Sequence, residues 1–338
     1  MPHIFLQDIV VIAFFISAMK GVLLVNTGSP ETNSRKDVKK FIGEMLSDPY
    51  LITVPDWFRP ILVKGIILPI RQFSSTSHYN LIWDHEHNSS PLLYNMQQLA
   101  KKLEAQTEMP VEIAMRYCKP DISSAFRRLV EKNDRLHEVV VLPMFPQYAE
   151  SSYKTTVDEI GRCFFKRPYP FRLKIVDPYF SHPAYISALC SSIKPFIQEE
   201  FDRLVFCFHS LPLSHVEAAW QKGKEFDYVY QTKETIRLVL KELSVDPKKM
   251  RLVYSSAIGS NWLEPSLDET MAELPLEGHK NVVVVTPGFA VDNLETLYDI
   301  GIKAREIFMK KGGKKLSFVP CLNNEDYWVD AIKQIIQI

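Results

Sequence analysis

Arg203-Leu-Val-Phe-Cys-Phe-His209 is a short apolar run stopped by Ser210-Leu-Pro212. A strand with one wet face alternates apolar and polar side chains; one covered on both faces does not. Seven more runs of this kind flank it: Gly21–Asn26 (GVLLVN), Val111–Tyr117 (VEIAMRY), Glu138–Met144 (EVVVLPM), Arg172–Asp177 (RLKIVD), Arg251–Ser256 (RLVYSS), Asn281–Pro287 (NVVVVTP) and Leu316–Pro320 (LSFVP). Amphipathic stretches separate them, among them Arg35–Leu46, Pro91–Thr107, Ile122–Lys132, Tyr185–Glu199 and Thr232–Leu243. Strand alternating with helix predicts a doubly wound parallel α/β fold. Two groups of four strands imply a duplication of fold, without a repeat at the level of residues. The prolines of Asp177–Pro183 mark the expected boundary, giving halves 19–180 and 181–320. Residues 321–338 then hold a last helix, Glu325–Ile336, expected to pack back on the first half. In such folds ligands sit beyond the carboxyl ends of the strands.

At 338 residues the chain exceeds one ordinary core, which agrees with two domains. Lysine plus arginine equals aspartate plus glutamate at 40 each, so the basic surplus of a nucleic-acid binder is missing. Glycine is scarce at 12 residues, and neither G-x-G-x-x-G nor G-x-x-x-x-G-K-[ST] occurs, which argues against a phosphate loop. The five cysteines are scattered with no C-x-x-C, so reduced thiols are expected rather than disulfides, a zinc ribbon or an iron–sulfur cluster. Ile9–Ile16 is apolar but too short to span a bilayer, and no basic region precedes it. Residues 1–18 therefore read as an apolar appendage, with Met19 as an alternative start, on a cytoplasmic protein.

Four features carry chemical interest. His209 ends its strand at the ligand-binding edge, where an imidazole can accept a proton or hold a metal; the alternative is a half-buried histidine bonded to backbone. Asp292, Glu295 and Asp299 follow at helical spacing and can share one face. They can equally be structural, with Asp292 as N-cap and Glu295 at N3 of a capping box. Val54–Phe73 (VPDWFRPILVKGIILPIRQF) is greasy and basic, suited either to a core helix or to an exposed lip for a flat ligand or a membrane surface. His85-Glu86-His87 looks like a metal pair but has no third partner nearby in sequence, so solvent exposure is the simpler reading. Neither G-x-S-x-G nor H-E-x-x-H is present, which leaves hydrolase chemistry unsupported.

Taken in order, several strings resemble the ferrochelatases, enzymes that insert ferrous iron into a porphyrin to form haem. They are Leu24-Val-Asn-Thr-Gly-Ser-Pro-Glu31, Arg71…Tyr79…Ile82-Trp83…Ser90-Pro-Leu92, Ala114-Met-Arg-Tyr117, Phe145-Pro-Gln-Tyr148, Phe208-His-Ser-Leu-Pro212, Trp262-Leu-Glu-Pro…Asp268-Glu269, Pro287-Gly-Phe…Asp292…Leu294-Glu-Thr-Leu297 and Pro320-Cys-Leu-Asn323. The resemblance runs from about Gly21 to Trp328. It implies two similar Rossmann-like domains, each a four-stranded parallel sheet, with a porphyrin cleft between them. It implies His209 and Glu295 as the catalytic, metal-binding pair, with Asp292 and Asp299 as a proton or metal relay. Thr27, Arg71, Tyr79, Arg116, Trp262 and Phe289 are the implied porphyrin contacts, the two arginines pairing with propionates. Fe²⁺ and porphyrin (protoporphyrin IX or coproporphyrin) are then substrates; no cofactor, [2Fe–2S] cluster or nucleic acid is expected, and residues 54–73 offer peripheral contact with a membrane. A chelatase for cobalt or nickel and a non-catalytic haem or porphyrin carrier are the competing readings. Two departures stand out. Lys303 occupies the place where the acidic ladder usually continues, and Ala257 replaces the usual basic residue after Ser256.

Overall fold

A computed structural model describes residues 19–337; the appendage expected at residues 1–18 lies outside them. Eight strands form: β1 (Met19–Asn26), β2 (Val111–Met115), β3 (Leu136–Pro143), β4 (Arg172–Ile175), β5 (Arg203–His209), β6 (Met250–Ser255), β7 (Asn281–Val285) and β8 (Lys315–Phe318). They make two four-stranded sheets, ordered β2-β1-β3-β4 and β6-β5-β7-β8, with every pairing parallel. The same order occurs twice, the duplication inferred from the two groups of apolar runs. In each sheet the first strand in sequence lies second in the sheet and is covered on both faces. Val22–Val25 of β1 and Leu204–Phe208 of β5 are fully buried.

Capping residues set the helix starts. α1 (Arg35–Leu46) is capped by Ser34, whose hydroxyl accepts from the Asp37 amide. α2 (Leu68–Ile82) continues the lip, and α3 (Pro91–Thr107) opens on Ser90 followed by proline, which has no amide proton to satisfy there. α4 (Ile122–Lys132) is capped by Asp121. The helix expected over Tyr185–Glu199 is instead α5 (Pro183–Ile193), because Pro195 allows only a single 3₁₀ turn beyond Ile193. The one expected from Thr232 starts earlier, as α6 (Tyr228–Leu243), under an Asp227 cap. α7 (Asp326–Ile335) packs against α5 of the second half and α3 of the first, with Lys102 paired to Asp326 at 2.8 Å. Trp328 of α7 and Tyr185 of α5 belong to one core cluster that also takes in Leu24 of β1 and Phe206 of β5.

The greasy segment does not join the core as a whole. It winds through Arg59–Leu62, a π-helical turn over Val63–Ile67, and then α2. Val63 and Leu68 are buried beneath it, while Trp57, Ile61, Ile66, Ile70 and Phe73 stay more than half exposed. Arg59 fixes its base, donating from Nε to the Ile52 carbonyl at 2.9 Å and from Nη2 to the Val54 carbonyl at 2.8 Å. Among the described residues no helix is long and apolar enough to cross a membrane.

Candidate active site

The carboxyl ends of the central strands open on one cleft. Asn26 ends β1 and Thr27 follows it, Met144 and Phe145 follow β3, His209 ends β5, and Gly288 and Phe289 follow β7. Met45, Tyr79 and Ile82 reach in from α1 and α2. The cleft is open at its mouth and, with that open solvent included, holds about 1180 Å³ of empty space. Gly28 shapes one wall. Its φ is +115°, and a Cβ there would lie 2.4 Å from the Tyr117 carbonyl oxygen, so only glycine fits.

His209 is half-buried on the cleft wall. Its backbone carbonyl accepts a 2.9 Å bond from the Tyr228 hydroxyl, and its buried Nδ1 has no partner in the structure. Burial pushes the imidazole down to about 4, so it is neutral at physiological pH.

Glu295 is the first residue of a π-helix, Glu295–Ala304. The capping box predicted from Asp292 and Glu295 is shifted by one residue. Asn293 Oδ1 accepts from the amides of Glu295 and Thr296, and Thr296 Oγ1 accepts in return from the Asn293 amide at 3.0 Å. That reciprocal pair leaves the Glu295 carboxyl on the cleft wall. Burial, and secondly the neighbouring Asp299, push it up to about 7. Tyr79 also lines the cleft and stays protonated, chiefly through burial and then through Glu295.

Five of the ten predicted site residues therefore line one cavity: His209, Glu295, Thr27, Tyr79 and Phe289. The others stand elsewhere. Asp292 is buried and spent on structure, accepting from Thr296 Oγ1 at 2.9 Å, from Asn323 Nδ2 at 2.7 Å and from the Cys321 amide at 3.3 Å. Asp299 lies behind Glu295 and takes a 2.9 Å bond from Ser256 Oγ; its carboxyl is raised, first by burial. Arg116 does not reach the cleft. Its guanidinium is held by Asp48 at 2.6 Å and by Thr155, and stacks on Tyr117. Arg71 is exposed on α2, and Trp262 is half-buried on a loop bridged to Pro212. His85 is exposed, and the neighbouring His87 pairs with Asp84 at 2.7 Å.

Sequence reasoning passed over Asn26, Gln147, Ser151 and Tyr228, all on the cleft wall. The strand-end rule that picked out His209 applies equally to Asn26 and was the available signal; Tyr228 had none. Removing the Asp292 carboxylate strands three donors. Asp292→Ala is expected to cost about 2–4 kcal/mol of stability, read from urea unfolding; a loss under about 0.5 kcal/mol would show that the network is dispensable.

The ferrochelatase family model matches residues 19–338. A ferrochelatase from Porphyromonas gingivalis is 33% identical, covering 95% of this chain and 96% of its own. One from Yersinia enterocolitica is 34% identical over 94% and 97% respectively. Among solved structures SirB from Bacillus subtilis, solved with Fe³⁺, superposes with a TM-score of 0.55 at 12% identity over 94% of each chain, a likeness of fold. A family match over residues 19–338, two sheets of one order and a cleft at their strand ends agree: the chain belongs to the ferrochelatase family.

Proposed function

We propose that the cleft inserts Fe²⁺ into a porphyrin with His209 and Glu295 as the reacting side chains. The observation that carries this reading is an unpartnered, neutral imidazole sharing one largely apolar cavity with a carboxyl that titrates near neutrality. Metallation removes two pyrrole N–H protons as the dication enters, so it needs a base and a neutral donor that can replace water around the metal. The two shifts divide this work. An imidazole at about 4 carries few protons at pH 7 but presents a lone pair, so His209 holds the metal or the pyrrole side. A carboxyl at about 7 is matched to proton transfer, so Glu295 takes the protons and passes them to Asp299. Iron is a substrate here, and the reading invokes no resident cofactor.

Among the described residues of the cleft wall there is no lysine or arginine. Carboxylates of the macrocycle must then sit at the mouth, since an unpaired buried carboxylate is costly. A porphyrin with two propionates is better suited than one with four. Steady-state absorbance assays with Zn²⁺ or Fe²⁺ test both points. Repeated turnover is expected, with kcat/KM for protoporphyrin IX exceeding that for coproporphyrin by roughly tenfold. A signal ending at one equivalent would make the protein a carrier, and a preference for coproporphyrin would refute the charge argument.

The exposed apolar lip, with Lys64 and Arg71 beside it, is the surface we assign to peripheral membrane contact. Co-sedimentation with anionic vesicles should fall on Ile70→Glu; equal binding by both proteins, or by neither, removes that role.

A further inference from the structure

Four residues beyond Asp299 on the same helix stands Lys303, paired with Asp268 of the helix Leu267–Glu273. Glu295, Asp299 and Lys303 recur at every fourth residue, and in a helix wound wider than α such residues fall close to one face. Asp299 is surrounded from several elements: Ser256 at the end of β6 donates to it, Lys303 and Asp268 adjoin it, and His78 of α2 faces it. The His78 ring also stacks on Tyr298 at 3.7 Å, holding α2 against the π-helix. The row therefore starts at a cleft carboxyl and ends at an exposed cation paired with Asp268.

We propose that the Lys303–Asp268 pair closes this row to metal cations and leaves it a path for protons alone, so that Fe²⁺ enters through the cleft mouth. The proposal rests on the reading of the cleft as the metallation site. A hydrated dication drawn toward Asp299 meets the Lys303 ammonium beside it, against like-charge repulsion, and has to shed its water to go past this half-buried carboxyl toward the cleft. A proton needs no such passage. It leaves the pyrrole nitrogen for Glu295, moves to Asp299, and reaches water past the exposed Ser256 hydroxyl while a second proton follows. Two protons out for one Fe²⁺ in keeps the charge of the site balanced. Lys303 thus separates the two traffics; it touches neither substrate.

Steady-state kinetics with Zn²⁺ as the varied substrate and saturating protoporphyrin IX test this. Asp299→Asn should lower kcat roughly tenfold, enlarge the solvent deuterium isotope effect and leave the KM for metal within about twofold. Lys303→Gln, which opens a second entrance flanked by Asp268, should lower the metal KM about threefold, and Lys303→Arg should restore it. A metal KM raised severalfold by Asp299→Asn at constant kcat would show that metal travels along the row and overturn the proposal, as would an unchanged KM in Lys303→Gln. Glu295→Gln separates this from failure of the underlying reading. If it turns over normally, the cleft is not the site at all; if it is inactive while Asp299→Asn alters only the metal KM, the route alone is wrong.

Discussion

The His209→Ala protein is expected to bind protoporphyrin IX and to insert metal at a rate lowered roughly 10²- to 10⁴-fold, the range for removing a group that acts directly on the reacting atoms. The substitution takes away the only imidazole on the described cleft wall, whose Nδ1 already lacks a partner in the structure. Among the described residues no hydrogen bond to the side chain is broken, and the Tyr228 bond goes to the backbone carbonyl, which alanine keeps. Folding should therefore survive, and fluorescence quenching of the porphyrin can be compared directly with turnover. Near-normal turnover would remove His209 from the chemistry. Loss of porphyrin binding together with turnover would make it a structural residue of the wall.

Glu295→Gln is expected to have a comparable effect on rate, with a signature in pH. If Glu295 is the base, only its ionised form works. The parent's kcat/KM should then rise tenfold per pH unit below about 7 and level off above it, with no second inflection between pH 5 and 7 because His209 titrates near 4. Glutamine removes both the rate and that limb. A second readout is thermal. The folded pKa lies above the usual carboxyl value of about 4.3, so the fold favours the protonated form. At pH 4 the folded state and most of the unfolded state hold the proton, so burial costs little. Between about pH 4.3 and 7 the unfolded state ionises while the folded one does not, stability falls, and above 7 the folded state carries a poorly solvated charge. Glu295→Gln should thus melt higher than its parent at pH 8 and at nearly the same temperature at pH 4. A pH limb that persists in the variant would assign the ionisation to another group.

Much of this was legible in the sequence because it depends on near neighbours. The eight apolar runs became the eight strands, and α1, α3 and α4 begin and end where pattern and caps place them. Strand ends located His209 without any partner being known. What escaped depends on residues far apart in the chain. Arg116 looked free to meet a carboxylate, but Asp48, 68 positions away, holds it. Asp292 looked like part of a relay until Asn323, 31 positions on, claimed its carboxylate. The acidic stripe was drawn on an α-helical wheel starting at Asp292, whereas the helix starts at Glu295 and winds as π. Even the cap was a local contest, won by Asn293 over its neighbour, and spacing alone does not choose between adjacent acceptors.

β5 is flanked along most of its length by β6 and β7, and its last residue is fastened on both sides of the chain. Tyr228 grips the carbonyl of His209, and the next amide, that of Ser210, donates to Ser255 at 2.8 Å. A ring mounted there is an anvil. Glu295 lines the same cleft from a helix whose other anchor, the His78–Tyr298 stack, leads to α2 and the exposed lip. A guest in that cleft therefore meets, at His209, a side chain whose backbone is tied down on either side of the residue.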